Sequence, residues 1–195
     1  MKTPGNYEHI EWRELGSDRV YETPIFDLYR IEREASSGKR SSFVVVSCPD
    51  WVNVVPVMKN PEGRGCFLLG RQYRQGSRSL TLEFPGGMVD PGEEPRTAAV
   101  RELKEETGHE AESVIYAGKI NPNPAFMTNW CHTFIATGLR HVTAQDLDEN
   151  ELVDYELVPV EELERDMGTG IHNHAIMVVA LFWYEKWKRG DRVGI

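Results

Sequence analysis

Apolar positions along the chain follow two different periods. Over residues 25–31 they alternate with polar ones, as in a strand with one buried face. Residues 36–39, Ser-Ser-Gly-Lys, form a turn signal, and residues 42–46 read as the returning strand of a β-hairpin. Residues 1–20 are polar, carry no period and read as irregular. Residues 52–58 are almost continuously apolar, with Pro56 inside the run. A proline cannot donate to a sheet ladder, so a bulge or a sheet edge is expected there. Residues 60–63 turn the chain, and 66–73 read as the next strand. Strand-like runs follow at 113–120 and 131–137, and 157–160 leads into a short helix over 160–166. Pro95 suits a helical first turn and Gly108 a helical end, which predicts a helix over 95–107. A last helix over about 173–188 sets Ile176, Val179, Ala180 and Trp183 on a packing face. The simplest architecture is α/β, a mixed sheet with helices on both faces.

Composition narrows the class without naming a function. The 195 residues suffice for one sizeable core, and 40% hydrophobic with 27% charged is ordinary for a globular protein. No apolar run approaches the roughly 20 residues that span a bilayer, and the N-terminus has no apolar signal core. The cytoplasm is the expected location, with no membrane partner. Cys48, Cys66 and Cys131 are odd in number and lack metal-ligand spacing, so they read as reduced thiols. A formal charge of −9 with no basic stripe argues against a nucleic-acid polymer as partner. A small anionic substrate stays open, because metal ions reverse the local field.

Candidate chemistry concentrates in residues 87–108. On a helix, Glu102, Glu105 and Glu106 fall within an arc of roughly 100°, with Ala99, Val100 and Leu103 on the neighbouring, core-facing arc. Crowded carboxylates repel one another, and hard cations such as Mg²⁺ or Mn²⁺ relieve that repulsion. Such cations also polarise a diphosphate and acidify a bound water. Glu-rich faces are commonly just solvated, so the neighbours matter. Arg101 lies off the carboxylate face and can reach back to Glu93, tying loop to helix. Gly86 and Gly87 permit close backbone approach.

This run resembles the Nudix box, G-x5-E-x7-R-E-U-x-E-E-x-G-U with U a bulky apolar residue. Gly87, Glu93, Arg101, Glu102, Leu103, Glu105, Glu106 and Gly108 all match, and only His109 departs. The resemblance implies a Nudix fold: an α/β/α sandwich with a mixed sheet, over residues 51–195. Residues 1–50 would then form an N-terminal strand region. The likeness runs from about residue 25 to 183, and Arg71-Gln72-Tyr73-Arg74 with Leu82-Glu83-Phe84-Pro85-Gly86-Gly87 and Pro124 is similar to the ADP-ribose and nucleoside-diphosphate-sugar pyrophosphatase branch. It implies Mg²⁺, replaceable by Mn²⁺, held by the Gly86 carbonyl, Glu102, Glu106 and Glu105. Arg74, Glu83, Phe26 and Tyr29 would contact a nucleotide-sugar substrate, with Arg101 and Glu105 beside the chemistry and Glu93 as a clamp.

From a late acidic loop, Glu149 would activate the water, with Glu151 as runner-up. A homodimer with exchanged N-terminal strands is implied as well. The loop after the box departs from the branch pattern, since Asn129 stands where a glutamate is usual. The range of nucleotide sugars is therefore open. Two alternatives remain: another Nudix substrate, such as a dinucleotide, a nucleoside triphosphate or an RNA cap, and a non-catalytic nucleotide-binding regulator. Isopentenyl diphosphate isomerisation lacks its catalytic-cysteine context here.

Overall fold

The computed structural model describes residues 7–194. Its chain forms two compact units, Met1–Pro49 with Asn121–Asn129, and Asp50–Ile120 with Trp130–Ile195. The first unit is built on an antiparallel sheet of β1 (Trp12–Glu22), β2 (Asp27–Ala35) and β3 (Arg40–Ser47), in that order. The hairpin of β2 and β3 turns where the sequence places it. β1 corrects the irregular reading over residues 12–20, and residues 1–6 of that stretch lie outside the described residues. Its residues are mostly exposed, and register shifts at Glu14/Gly16 and Arg19/Tyr21 interrupt its alternation, so no apolar period marks it. Cross-strand charge pairs stand where apolar pairs are usual: Arg13 with Glu34 at 2.7 Å and Arg19 with Asp27 at 3.4 Å. Residues 121–129 join this unit through β3, where the Val46 amide donates to the Phe126 carbonyl at 2.7 Å.

The second unit holds a six-stranded mixed sheet. Its strands are β4 (Trp51–Lys59), β5 (Gly65–Arg74), β6 (Ser79–Glu83), β7 (His109–Ile120), β8 (Cys131–His141) and β9 (Val153–Pro159). The order is β6-β5-β4-β8-β7 with β9 on β5; β4 and β8 run parallel and the other pairs antiparallel. The helices are α1 (Pro95–Thr107), α2 (Val160–Asp166) and α3 (Ala175–Lys188). Side chains of β4 leave the sheet on both faces, both of them covered, which is why its run is apolar almost throughout, with Asn53 the buried exception. Val52 and Val54 pack with Ala98, Ala99 and Leu103 of α1, while Val55 packs with Leu163 of α2 and Met177 and Ala180 of α3. The result is an α/β/α sandwich.

Three local expectations need correction. Pro56 lies in the interior strand β4, opposite Ala136, rather than at an edge or bulge. The Val52 and Val54 amides point away from β8, to the Gly87 and Pro85 carbonyls. Alternation puts the Pro56 nitrogen on that same side, so the β8 ladder loses no donor. Val100 is 43% exposed instead of core-facing, because Ala98 takes the inner arc with Ala99 and Leu103. On α3 the buried residues are Met177, Ala180, Leu181 and Tyr184, a face turned by about one residue from the expected one.

Candidate active site

The site grows from α1 and the loop that precedes it. α1 starts with Pro95 in its first turn and stops at Gly108, whose φ of 68° is the left-handed ending a glycine supplies without strain. Glu106 is buried and Glu102 nearly so, on the same half of the helix that packs on β4. Between strand and helix the Pro85–Gly87 backbone passes so closely that side chains are excluded. A Cβ on Gly86 would meet the Val52 carbonyl at 2.2 Å, and one on Gly87 would meet the Glu102 carboxylate at 2.3 Å. The Gly86 amide donates to Glu106 Oε2 at 3.2 Å, and the Tyr155 hydroxyl donates to the same oxygen at 2.7 Å. Pro85 and Gly87 turn their carbonyls to β4, so alternation turns that of Gly86 towards the Glu106 side.

Burial dominates the electrostatics. It pushes the Glu102 carboxyl up to about 7, against the pull of Arg101, and the Glu106 carboxyl up to about 8, against the Tyr155 hydrogen bond. The Tyr155 hydroxyl is itself driven far above its ordinary value by burial and by the Glu106 charge.

Arg101 spends all five of its N–H donors inside the protein. Nε and Nη2 hold Glu93 at 3.1 and 3.0 Å, Nη2 also reaches the Met88 carbonyl, and Nη1 reaches Glu102 at 2.9 Å and Glu105 at 3.0 Å. It therefore fastens the 88–93 loop to α1 and braces two carboxylates.

A cavity of about 710 Å³ opens from Gly86 and Gly87 along β4 and β5. Arg74, Thr81, Glu83 and His174 form its polar wall, and Trp51, Phe84, Met88 and Ile176 line it as well. Glu83 is buried and grips the Arg74 guanidinium with two hydrogen bonds, Nε–Oε1 at 2.8 Å and Nη2–Oε2 at 2.7 Å. Thr81 donates to its Oε1, and His174 Nδ1 stands 2.9 Å from its Oε2 as an ion-pair contact, not a well-aligned hydrogen bond. Burial raises the Glu83 carboxyl, but these partners outweigh it and hold the group well below the usual carboxylate range. Cys131 also borders the cavity; burial pushes its thiol up to about 12, which suppresses the thiolate a nucleophile needs.

The acidic loop of residues 146–152 is anchored to the last turn of α1. The Gln145 side chain donates to the Glu106 carbonyl at 2.7 Å, and the Asp146 amide to the Glu105 carbonyl at 2.8 Å. Of its two candidate bases, the Glu151 charge is felt at Arg74, Glu102, Glu106 and Tyr155. Phe26 and Tyr29 are half-buried in the first unit, Tyr29 on β2 between Arg19 and Val45. Asn129 is buried there with both side-chain polar atoms unpartnered, and His109 sits edge-on to His141 at 5.0 Å.

Sequence reasoning missed Tyr155, His174 and Gln145. Tyr155 carried a usable signal, because a buried strand tyrosine needs a partner for its hydroxyl.

Among the described residues, no three His, Cys, Asp or Glu side chains converge into a ready metal cage. The donor chemistry nonetheless fits a hard divalent cation: two desolvated carboxylates, of which Glu106 has no ion-pair partner among the described residues, a third at Glu105, and the Gly86 backbone beside them.

Comparison with known proteins agrees with this geometry. The NUDIX domain model matches residues 50–178. The ADP-ribose pyrophosphatase of Bacillus subtilis (strain 168) is 30% identical over 154 residues, 78% of this chain and 81% of that protein. The ADP compounds hydrolase NudE of Escherichia coli (strain K12) is 27% identical over 179 residues, 91% of this chain and 93% of its own. The methanol dehydrogenase activator of Bacillus methanolicus is 29% identical over 146 residues, covering 74% and 77%. A crystal structure of an ADP compounds hydrolase superposes with a TM-score of 0.81 at 27% identity, covering 92% of this chain and 95% of that one. Box, sandwich and relatives converge: the chain belongs to the NUDIX family of hydrolases.

Proposed function

We propose that this chain hydrolyses the diphosphate bond of ADP-ribose or a related nucleoside diphosphate sugar, releasing a nucleoside monophosphate and a sugar phosphate. The observation that carries the reading is the pair Glu102 and Glu106, buried side by side on α1 against Gly86 and Gly87 at the mouth of a cavity walled by Arg74. The activities for which the pyrophosphatase and hydrolase relatives are named support the substrate class.

Glu102, Glu106 and the Gly86 carbonyl would hold Mg²⁺ or Mn²⁺, with Glu105 within reach of the same face. Bound there, the cation offsets phosphate charge and lowers the pKa of an attacking water. Arg74 keeps three N–H donors beyond those given to Glu83, enough to orient a diphosphate across the cavity. Gly86 and Tyr155 donate to one oxygen of Glu106, which fixes the carboxylate and leaves Oε1 without a donor among the described residues. Glu93 and Arg101 hold the loop so that Gly87 stays against Glu102. The proton of the attacking water goes to a carboxylate of the acidic loop, and the reach of the Glu151 charge supports Glu151 over Glu149. A homodimer formed through the first unit completes the proposal, with Phe26 and Tyr29 as its stacking residues for the base.

The deciding experiment incubates the protein with ADP-ribose and separates AMP from ribose 5-phosphate by chromatography. Both products should form with Mg²⁺ or Mn²⁺ and vanish with excess EDTA. Undiminished turnover in chelator, or no turnover of any nucleoside diphosphate sugar with metal present, defeats the reading.

A further inference from the structure

The cavity wall contains a group that the box chemistry does not use. Glu83 is only 3% exposed, yet it is fully occupied by the protein itself. A carboxylate has about four acceptor positions, two on each oxygen. At Glu83, Oε1 takes Arg74 Nε and Thr81 Oγ1, while Oε2 takes Arg74 Nη2 and faces His174 Nδ1. Three of these positions carry hydrogen bonds and His174 faces the fourth, so Glu83 acts chiefly through what it holds.

It holds two different cation-capable side chains at one cavity wall. Arg74 is 45% exposed and His174 37% exposed, although both lean on a carboxylate that is only 4% exposed. Nδ1 stands 2.9 Å from Glu83 Oε2 without a well-aligned hydrogen bond, and the imidazole's other nitrogen, Nε2, has no hydrogen-bond partner among the described residues. His174 itself is placed with little freedom. It caps the N-terminus of α3, where its carbonyl accepts from the Met177 amide at 3.1 Å. Three residues on, Met177 Sδ accepts the Phe84 amide, which pins that turn of α3 to the residue following Glu83. The same cavity shows a second sign of an intended ligand. Asn53 is 6% exposed and lines the cavity, and its Oδ1 has no hydrogen-bond partner. A buried amide oxygen left unpaired is destabilising, and a ligand donor removes that cost.

We propose that Glu83 is a positioning residue and that His174 is a specificity-determining residue, whose Nε2 binds a phosphate oxygen of the substrate beside the free N–H groups of Arg74. The inference rests on the reading of the cavity as a diphosphate site. Arg74 grips the diphosphate through a fixed fork, and His174 adds a second contact on the same wall. Substrates that carry no phosphate within reach of that wall forgo the contact. The interaction is made in the ground state and the transition state alike, so its loss raises KM and leaves kcat nearly untouched.

The experiment compares wild type with His174→Ala, His174→Gln and Glu83→Gln. It measures kcat and KM for ADP-ribose at saturating Mg²⁺, and the Kd of inorganic pyrophosphate by calorimetry in excess EDTA. For His174→Ala, KM and the pyrophosphate Kd should each rise about tenfold with kcat within about twofold, the loss expected of one charge-assisted hydrogen bond. His174→Gln, which keeps a donor at a comparable reach, should recover part of the loss and serves if the alanine variant does not fold. Glu83→Gln should raise KM more than His174→Ala, since Arg74 and His174 both lose their anchor. An unchanged KM and Kd in both His174 variants, or a fall in kcat at constant KM, overturns the proposal. If wild type turns over no ADP-ribose, the functional reading has failed, and the pyrophosphate Kd alone still decides the role of His174.

Discussion

At the scale of single residues, the site is a balance between burial and charge. Glu102 and Glu106 have folded-state pKa values pushed up to about 7 and about 8 from an ordinary 4.5. Raised values mean that folding favours the protonated forms. Their contribution to stability is fully present below about pH 4.5 and is lost as pH rises through 7 and 8. Each pH unit inside that window costs about 1.4 kcal/mol per group. Glu83 works in the opposite sense: its depressed value adds stability that disappears only in acid, below the window. A divalent cation needs the deprotonated carboxylates, so it restores at high pH what their desolvation removes. The melting temperature in EDTA is thus expected to fall between pH 6 and pH 9, and the gain from millimolar Mg²⁺ or Mn²⁺ to grow by several degrees over that span. Scanning fluorimetry of wild type and Glu106→Gln checks this, since the variant should flatten both trends. An equal metal effect at pH 6 and pH 9 would place the cation elsewhere.

At the scale of elements, legibility followed the strength of local rules. α1 was readable to the residue, because Pro95, Gly108 and the carboxylate spacing all mark one helix. α3 was readable as a helix but not as a face. Residues 175–184 are almost uniformly apolar, so period alone cannot choose between the Ile176 and Met177 sides. β1 gave no apolar period because charge pairs and register shifts replace it, and the five-residue β6 was obscured by the motif that ends it. The box residues were legible since their spacing is local. His174 and Tyr155 were not, because Glu83 and His174 lie 91 positions apart and Glu106 and Tyr155 49 apart; only the fold brings each pair together.

The acidic loop belongs to the same scale. Gln145 and Asp146 fasten its start to the end of α1, and Gln145 also ties it to the Val153 carbonyl at 3.2 Å. Between these ties the loop closes on itself: the Glu151 amide donates to the Asp148 carbonyl at 2.9 Å, the Asp148 amide donates to Glu151 Oε2 at 3.4 Å, and the Glu151 charge acts on the Glu106 carboxyl. Glu151→Gln should therefore lower kcat for ADP-ribose by about a hundredfold or more with little change in KM, the usual weight of a general base. Glu149→Gln should stay within a fewfold of wild type. A crippled Glu149→Gln beside an active Glu151→Gln reverses the assignment, and two active variants move the base into the box.

For the molecule as a whole, the first unit poses a problem that its own residues do not solve. Its three strands bury only Ile31 below a tenth of its surface, while Leu15, Val20, Tyr21 and Val44 are 41%, 46%, 63% and 62% exposed. A three-stranded sheet needs a covered apolar face to be stable, and so small a unit buries too little surface to stand by itself. Exposed apolar strands also invite pairing with another chain. We propose that a second copy of this chain is the partner, since it supplies the same strands in the same number and two-fold self-association is the commonest closed solution. Light scattering at micromolar concentration should therefore return twice the chain mass of 22.3 kDa. Val44→Glu and Tyr21→Glu together should shift the mass towards one chain, because each places a charge in a face that association buries. They should also weaken ADP-ribose binding if Phe26 and Tyr29 serve the base from this unit. A monomeric wild type at that concentration excludes the dimer, and a double variant that remains dimeric places the interface outside these strands.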